Sequence, residues 1–147
     1  MIKYQNNALY NSKFDDIYFN TYEPLAECEY AYSSALDEIN KSKIVVAEAG
    51  FGTGLNFFCT IEKFKSSNKK SLHYIAVEKY PFSKDDLANI YKEFGLDNTI
   101  CKEFLDNYHI VPNSLLRIYL LNRTIILDLY FGDILECLHK KNFSDYD

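Results

Sequence analysis

Three glycines, Gly50, Gly52 and Gly54, fall within five residues, directly after the apolar run Ile44-Val-Val-Ala47 and Glu48. Glycine occurs elsewhere only at Gly95 and Gly132. A strand that ends in such a turn and opens into a helix lets bare backbone approach a ligand closely. Glu78 lies 24 residues beyond Gly54, at the end of a second apolar run, where a carboxylate suits ribose hydroxyls. Gly132-Asp133 closes a later apolar run, and Asp133 is placed to accept from an adenine amino group or a ribose. In this order, on successive strand ends, the three features point to an adenosine-containing cofactor. The loop reads Glu48-Ala-Gly50-Phe-Gly52-Thr-Gly54, not the G-x-G-x-x-G of dinucleotide folds. Glu48 would repel a pyrophosphate and suit a ligand bearing an ammonium and a sulfonium. That sign favours S-adenosylmethionine over NAD or FAD.

Each feature also has a plainer reading. Gly54 could serve helix-on-strand packing, Glu78 could be a solvated strand end, and Asp133 could be a helix N-cap, a role compatible with ligand contact. His73, His109 and His139 are isolated, with no ligand partner at i+3 or i+4. Cys28, Cys59, Cys101 and Cys137 stand more than thirty residues apart. They form neither a C-x-x-C pair nor a disulfide framework and read as reduced, mostly buried side chains. No metal is expected. Ser-His-Asp spacing, a G-x-x-x-x-G-K loop and H-E-x-x-H are all absent from the sequence.

The elements that must position these residues alternate between strand and helix. Residues 1–22 read as extended and turn-rich, and Pro24 opens a helix to about Ile39. Lys43–Ala47 reads as a strand covered on both faces, because its apolar run is continuous. Leu55–Lys65 reads as a helix presenting Phe57, Phe58, Ile61 and Phe64. A second buried strand spans Leu72–Val77 and ends at Glu78. Ser83 and Asp86 form a capping box for a helix showing Leu87, Ile90, Tyr91 and Phe94, which Gly95 stops. A shorter helix is expected around Ile100–Tyr108. Leu115–Leu121 and Thr124–Phe131 read as two strands joined at Asn122-Arg123, and Asp133 with Glu136 could cap a last short helix. The alternation predicts an α/β domain with a parallel sheet and both cofactor-side loops at one edge.

Composition agrees with a single globular domain. The 147 residues are 48% hydrophobic and 25% charged, and Tyr and Phe make the core aromatic-rich. No apolar stretch approaches the ~20 residues of a membrane span, and Met1–Asn6 lacks a signal-peptide core. A cytoplasmic location without membrane attachment is expected. The net charge of −5 argues against strong nonspecific nucleic-acid binding. Lys63, Lys65, Lys69 and Lys70 read as a solvated helix end and loop rather than as an RNA-binding patch.

With these residues in place, the chain resembles a known family. Val46-Ala-Glu-Ala-Gly-Phe-Gly-Thr-Gly-Leu-Asn-Phe57 is similar to the cofactor loop of the N-terminal methyltransferase domain in the bifunctional bacterial protein that forms 5-methylaminomethyl-2-thiouridine at the tRNA wobble position. Phe14-Asp-Asp-Ile-Tyr-Phe19, Tyr74-Ile-Ala-Val-Glu-Lys-Tyr-Pro81 with Asp86-Leu-Ala88, and Leu127-Asp-Leu-Tyr-Phe-Gly-Asp133 extend the resemblance over most of the chain. It implies a class I S-adenosylmethionine-dependent methyltransferase fold, Rossmann-like, with residues 1–42 as an N-terminal segment and helix and 43–147 as the first half of the core. It implies methyl transfer to the aminomethyl nitrogen of a wobble uridine, with tRNA as substrate. Glu48, Gly50, Phe51, Gly52, Thr53, Gly54, Asn56, Glu78, Lys79, Gly132 and Asp133 would then bind the cofactor. Glu48, the loop glycines and Asn56 would lie around the methionine part, Glu78 at the ribose, and Gly132-Asp133 beside the adenine. The segment 14–19 would fold over the active-site side.

The chain also departs from that family. Asp145-Tyr-Asp147 matches only the approach to a strand that ends, in the family, in an Asp-Gly-Phe-Ala-Pro type motif near the acceptor amine. The fold is therefore expected to be incomplete at its C-terminal end, with little or no turnover. FAD would belong only to an oxidase domain absent from these residues, present as a further domain or chain. Asp15 and Asp16 are the remaining acidic candidates for the acceptor side. Two rival readings stay open, an NAD- or FAD-binding oxidoreductase half and a non-catalytic remnant.

Overall fold

The computed structural model describes residues 2–5, 8–11, 16–20, 36, 39–93 and 95–140. The expected helix from Pro24 to Ile39 lies outside the described residues except at Leu36, Ile39 and the positions after it, and so does Phe94. Two compact units can be separated: residues 1–40 with 53–67, and residues 41–52 with 68–147.

The first unit contains an antiparallel meander of β1 (Ile2–Gln5), β2 (Ala8–Asn11) and β3 (Asp16–Asn20), in that order. The extended, turn-rich N-terminus read from the sequence takes this form. The unit also contains helix α1 (Leu55–Ser66). Gly54 precedes α1 at φ 77, a left-handed conformation, and its carbonyl accepts from the Phe58 amide at 3.0 Å. Phe57, Phe58, Ile61 and Phe64 are the buried apolar residues of α1, as their helical spacing predicts. Thr60 Oγ1 donates back to the Asn56 carbonyl at 2.7 Å.

The second unit is built on a four-stranded sheet. Its strands are β4 (Lys43–Ala49), β5 (Ser71–Glu78), β6 (Leu115–Leu120) and β7 (Ile125–Phe131), in the spatial order β4-β5-β7-β6. β4, β5 and β7 are parallel, whereas β6 joins β7 as an antiparallel hairpin. Around the sheet lie α2 (Lys84–Glu93), α3 (Thr99–Asn107) and α4 (Ile134–Lys140). Half of the expected capping box of α2 forms: the Asp86 amide donates to Ser83 Oγ at 3.1 Å, while Asp86 Oδ2 accepts from the Ser83 hydroxyl at 2.7 Å instead of from the Ser83 amide. Asn98 caps α3 by accepting from the Cys101 amide at 3.0 Å.

Register assigns each side chain to a face. Ile44, Val46 and Glu48 align with Leu72, Tyr74 and Ala76, and these with Ile125, Leu127 and Leu129. On this face an aromatic chain runs from Phe51 through Phe104 and Tyr108 to Phe131, with centroid separations of 5.9, 5.2 and 6.0 Å. Phe104 of α3 is fully buried and also meets Tyr91 of α2 at 6.5 Å. On the opposite face Cys137 of α4 packs with Val77, Tyr130 and Leu115. That face also holds an ionic cluster. Asp128, completely buried, accepts from Arg117 Nε and Nη2, both at 2.6 Å, and lies 2.8 Å from His73 Nε2. The sequence reading gave Asp128 no role and placed His73 inside a buried strand. His73 is half-buried and serves as a partner for that carboxylate.

The expectation for the first buried strand needs correction. Ile44 is buried, yet Lys43, Val45, Ala47 and Ala49 are exposed, Val45 by 64%. Among the described residues β4 pairs only with β5 and forms the edge of the sheet. The cover described on the opposite face, α4, packs on β5. A short apolar run does not distinguish a strand buried on both faces from an edge strand buried on one.

Candidate functional site

The C-terminal ends of β4, β5 and β7 meet at one edge of the sheet, where open α/β sheets bind ligands. Backbone hydrogen bonds stitch them together. The Gly50 and Phe51 amides both donate to the Val77 carbonyl, at 2.8 and 3.2 Å, and the Gly132 amide donates to the Glu78 carbonyl at 2.8 Å. Glu78, only 9% exposed, adds its side chain to this frame. Its Oε2 accepts from the Gly52 amide and its Oε1 from the Tyr80 amide, each at 2.7 Å. The loop bends because Gly50, Gly52 and Gly54 all take positive φ values, 87°, 54° and 77°. Beside Gly50 an added Cβ would meet nothing within 4 Å, whereas at Gly132 it would come 2.8 Å from Cε1 of Tyr130. Gly132 is thus fixed by close approach, and Gly50 opens onto free space.

Three carboxylates surround this edge. Glu48 Oε2 accepts from the hydroxyl of the buried Tyr74 at 2.9 Å. Asp133 Oδ2 accepts from Lys79 Nζ at 2.8 Å, and its Oδ1 caps α4 by accepting from the Leu135 amide at 2.8 Å. The Lys79 hydrogen bond, seconded by that amide, holds the Asp133 carboxyl below its ordinary pKa, and Asp133 in turn raises Lys79. Glu78 has no cationic partner among the described residues. Below the edge, Tyr108 donates to the Phe82 carbonyl at 2.8 Å. Burial pushes its phenol above the usual range, and the nearby Glu78 charge adds to the effect.

The residues singled out from sequence divide between the two units. Glu48, Gly50, Phe51, Gly52, Glu78, Lys79, Gly132 and Asp133 all belong to the second unit, and their strand ends share one edge. Thr53, Gly54 and Asn56 continue the loop into α1 and belong to the first. Asp16 opens β3 in that same unit. Asp15, Asp145 and Asp147 lie outside the described residues. Tyr74 and Tyr80 were missed. Tyr74 was legible in principle, since even-numbered residues of β4 and β5 share a face. The Tyr80 contact is made by its backbone amide, which no side-chain pattern reveals. Among the described residues no group of three or more His, Cys, Asp or Glu is placed to hold a metal, and no helix is long and apolar enough to cross a membrane.

The frame discriminates between ligand chemistries. A pyrophosphate is bound by free backbone amides and cations. Here the Gly50, Phe51 and Gly52 amides are engaged by the Val77 carbonyl and the Glu78 carboxylate, and Lys79 is paired with Asp133. The edge offers acceptors and net negative charge. Such an edge suits hydroxyl donors and positive charge.

Over 143 residues, covering 97% of the chain, it is 60% identical to the tRNA 5-methylaminomethyl-2-thiouridine biosynthesis bifunctional protein MnmC of Campylobacter fetus. The chain matches one part of MnmC. The identity is 41% to the protein of that name from Campylobacter concisus and 34% to that from Marinomonas. The chain spans 23% of the length of the two Campylobacter relatives and 20% of the Marinomonas one. The solved structure of MNMC2 from Aquifex aeolicus aligns with 97% of this chain and 46% of its own, at a TM-score of 0.60 and 16% identity. That likeness supports a Rossmann-like α/β fold of the kind found in methyltransferases. No protein-family model matches the chain.

Proposed function

We propose that this chain carries the S-adenosylmethionine site of a methyltransferase acting on the aminomethyl nitrogen of a tRNA wobble uridine. The observation that carries the reading is the frame Gly52–Glu78–Gly132, which joins three strand ends around a carboxylate with no cationic partner among the described residues. The names of the relatives supply the tRNA modification. The engaged loop amides supply the preference for a cationic nucleoside over a dinucleotide.

In this reading Glu78 accepts from the ribose hydroxyls through the lone pairs that Gly52 and Tyr80 leave open. Gly132 and Asp133 flank the adenine, with Asp133 held ionised by Lys79. Glu48, oriented by Tyr74, faces the ammonium end, and the space beside Gly50 admits the ligand's backbone-hugging portion. When bound, S-adenosylmethionine supplies a methyl group activated by its sulfonium. The protein's contribution is to fix that methyl in line with an incoming amine, the main source of rate in a reaction of this kind. Deprotonation of the amine calls for a nearby carboxylate, and none of the site residues described above is assigned that task.

Calorimetric titration separates this reading from the dinucleotide alternative. S-adenosylhomocysteine is expected to bind in the micromolar range and NAD not at all. Binding of NAD without S-adenosylhomocysteine would refute the proposal.

A further inference from the structure

The opposite end of the same sheet carries a second chemistry. Residues 41–43, 68–71 and 121–124 lie side by side there. The Lys70 amide donates to the Ser42 carbonyl at 2.7 Å, and the Leu72 amide donates to the Thr124 carbonyl at 2.9 Å. These three segments hold Lys41, Lys43, Lys69, Lys70 and Arg123 and no acidic residue of their own, in a chain of net charge −5, and the one carboxylate described against them is Glu103, whose Oε2 accepts from the Leu121 amide at 3.5 Å. Lys41, Lys43, Lys70 and Arg123 are exposed, and none of the four has a carboxylate partner among the described residues. The sequence shows only the Lys69-Lys70 half of this cluster. Parallel pairing of β4 with β5, and of β5 with β7, brings the other cations to it.

Arg123 lies in a left-handed turn that it shares with Leu121 (φ 48°) and Asn122. The Thr124 amide donates to the Leu121 carbonyl at 3.1 Å, closing a turn whose central residues Asn122 and Arg123 have φ 52° and 67°. Such a turn favours glycine at its second central position, and a residue with a Cβ is disfavoured there. Arginine stands in that place instead. Its guanidinium lies over the half-exposed Tyr119 ring, 4.6 Å from the centroid, a stacking that holds it at the rim.

We infer that this basic edge, Lys41, Lys43, Lys70 and Arg123, is a docking surface for the phosphate backbone of RNA. The inference rests on the reading of tRNA as substrate and assigns the place where the RNA outside the reacting nucleotide is held. The seven residues of β4 separate this edge from the glycine loop by about 23 Å. Phosphate contacts at that remove fix register and orientation and carry no sequence information.

Fluorescence anisotropy with a labelled tRNA anticodon stem-loop tests this, comparing the wild-type chain with the variant Lys41→Gln/Lys43→Gln/Lys70→Gln/Arg123→Gly. The variant is expected to bind at least about tenfold more weakly at low salt. The slope of log affinity against log salt should fall by about 3, at roughly 0.7–0.9 for each phosphate that is no longer neutralised. S-adenosylhomocysteine binding should be unchanged. Arg123→Gly alone should raise the melting temperature while weakening RNA binding, a combination that a purely structural arginine would not give. Equal salt slopes in wild type and variant, or no RNA binding by the wild type, would overturn the inference. RNA binding with the expected slopes but no S-adenosylhomocysteine binding would instead refute the cofactor reading and leave this edge standing.

Discussion

Two buried carboxylates on opposite faces of one sheet have opposite surroundings. Asp128, in the middle of β7, is compensated by Arg117 in a two-point contact and by His73. Glu78, at the end of β5, receives two neutral backbone amides and, among the described residues, no cation. A buried charge without a counter-charge is costly, and a fold tolerates it where the charge has work to do. Asp128 cements three strands. Glu78 holds the glycine loop in shape through the Gly52 amide. Under the proposed function, Asp128 is a structural carboxylate and Glu78 a binding one.

Substitution at Asp128 is the hardest test of that contrast. Asp128→Ala leaves Arg117 and His73 without their carboxylate and should cost about 2–3 kcal/mol, read as a lower urea midpoint. If the variant folds, its affinity for S-adenosylhomocysteine should be nearly unchanged. Glu78→Gln should behave in the reverse way. An amide side chain accepts from one of the Gly52 and Tyr80 amides but sets a donor against the other, for about 1–2 kcal/mol of stability. Its ligand affinity should fall at least about tenfold, because charge and loop shape are lost together. Equal losses of stability and affinity in both variants would erase the distinction.

Acid sharpens the comparison further. Burial pushes Asp128 up, but the hydrogen bonds from Arg117 and His73 outweigh it and leave the carboxyl below its ordinary value of 3.8. Its stabilising contribution is therefore complete above that value and is lost as pH falls through the lower folded one. Stability of the wild type should decline steeply below about pH 4, and Asp128→Ala should show a shallower decline over that range. The smallest effect is expected at Tyr130, whose buried hydroxyl has no hydrogen-bond partner among the described residues. Tyr130→Phe should be neutral or stabilise by up to about 1 kcal/mol in thermal melts.

Much of this architecture is legible in the residues themselves. The Ser83 cap of α2, the stripe of α1 and the strand ends at Glu78 and Gly132 follow from local spacing and turn chemistry, and the structure contains each of them. The edge position of β4 was hidden because an apolar run carries no information on what covers it. The Arg117–Asp128–His73 cluster was hidden for a related reason. His73 and Asp128 stand 55 residues apart, and only strand order makes them neighbours. At the candidate site the carboxylate and the glycines were readable. The engagement of the loop amides by Val77 and Glu78 was not, since backbone contacts leave no mark on residue type.

Under the proposed function Gly50, Gly52 and Gly132 line one site governed by Glu78. Amide nitrogen NMR during titration with S-adenosylhomocysteine tests it most directly. The three glycine amides are expected to shift together, with a single dissociation constant that Glu78→Gln raises at least about tenfold. Saturable binding that leaves the Gly50, Gly52 and Gly132 amides unmoved, or that persists unaltered in Glu78→Gln, would contradict it.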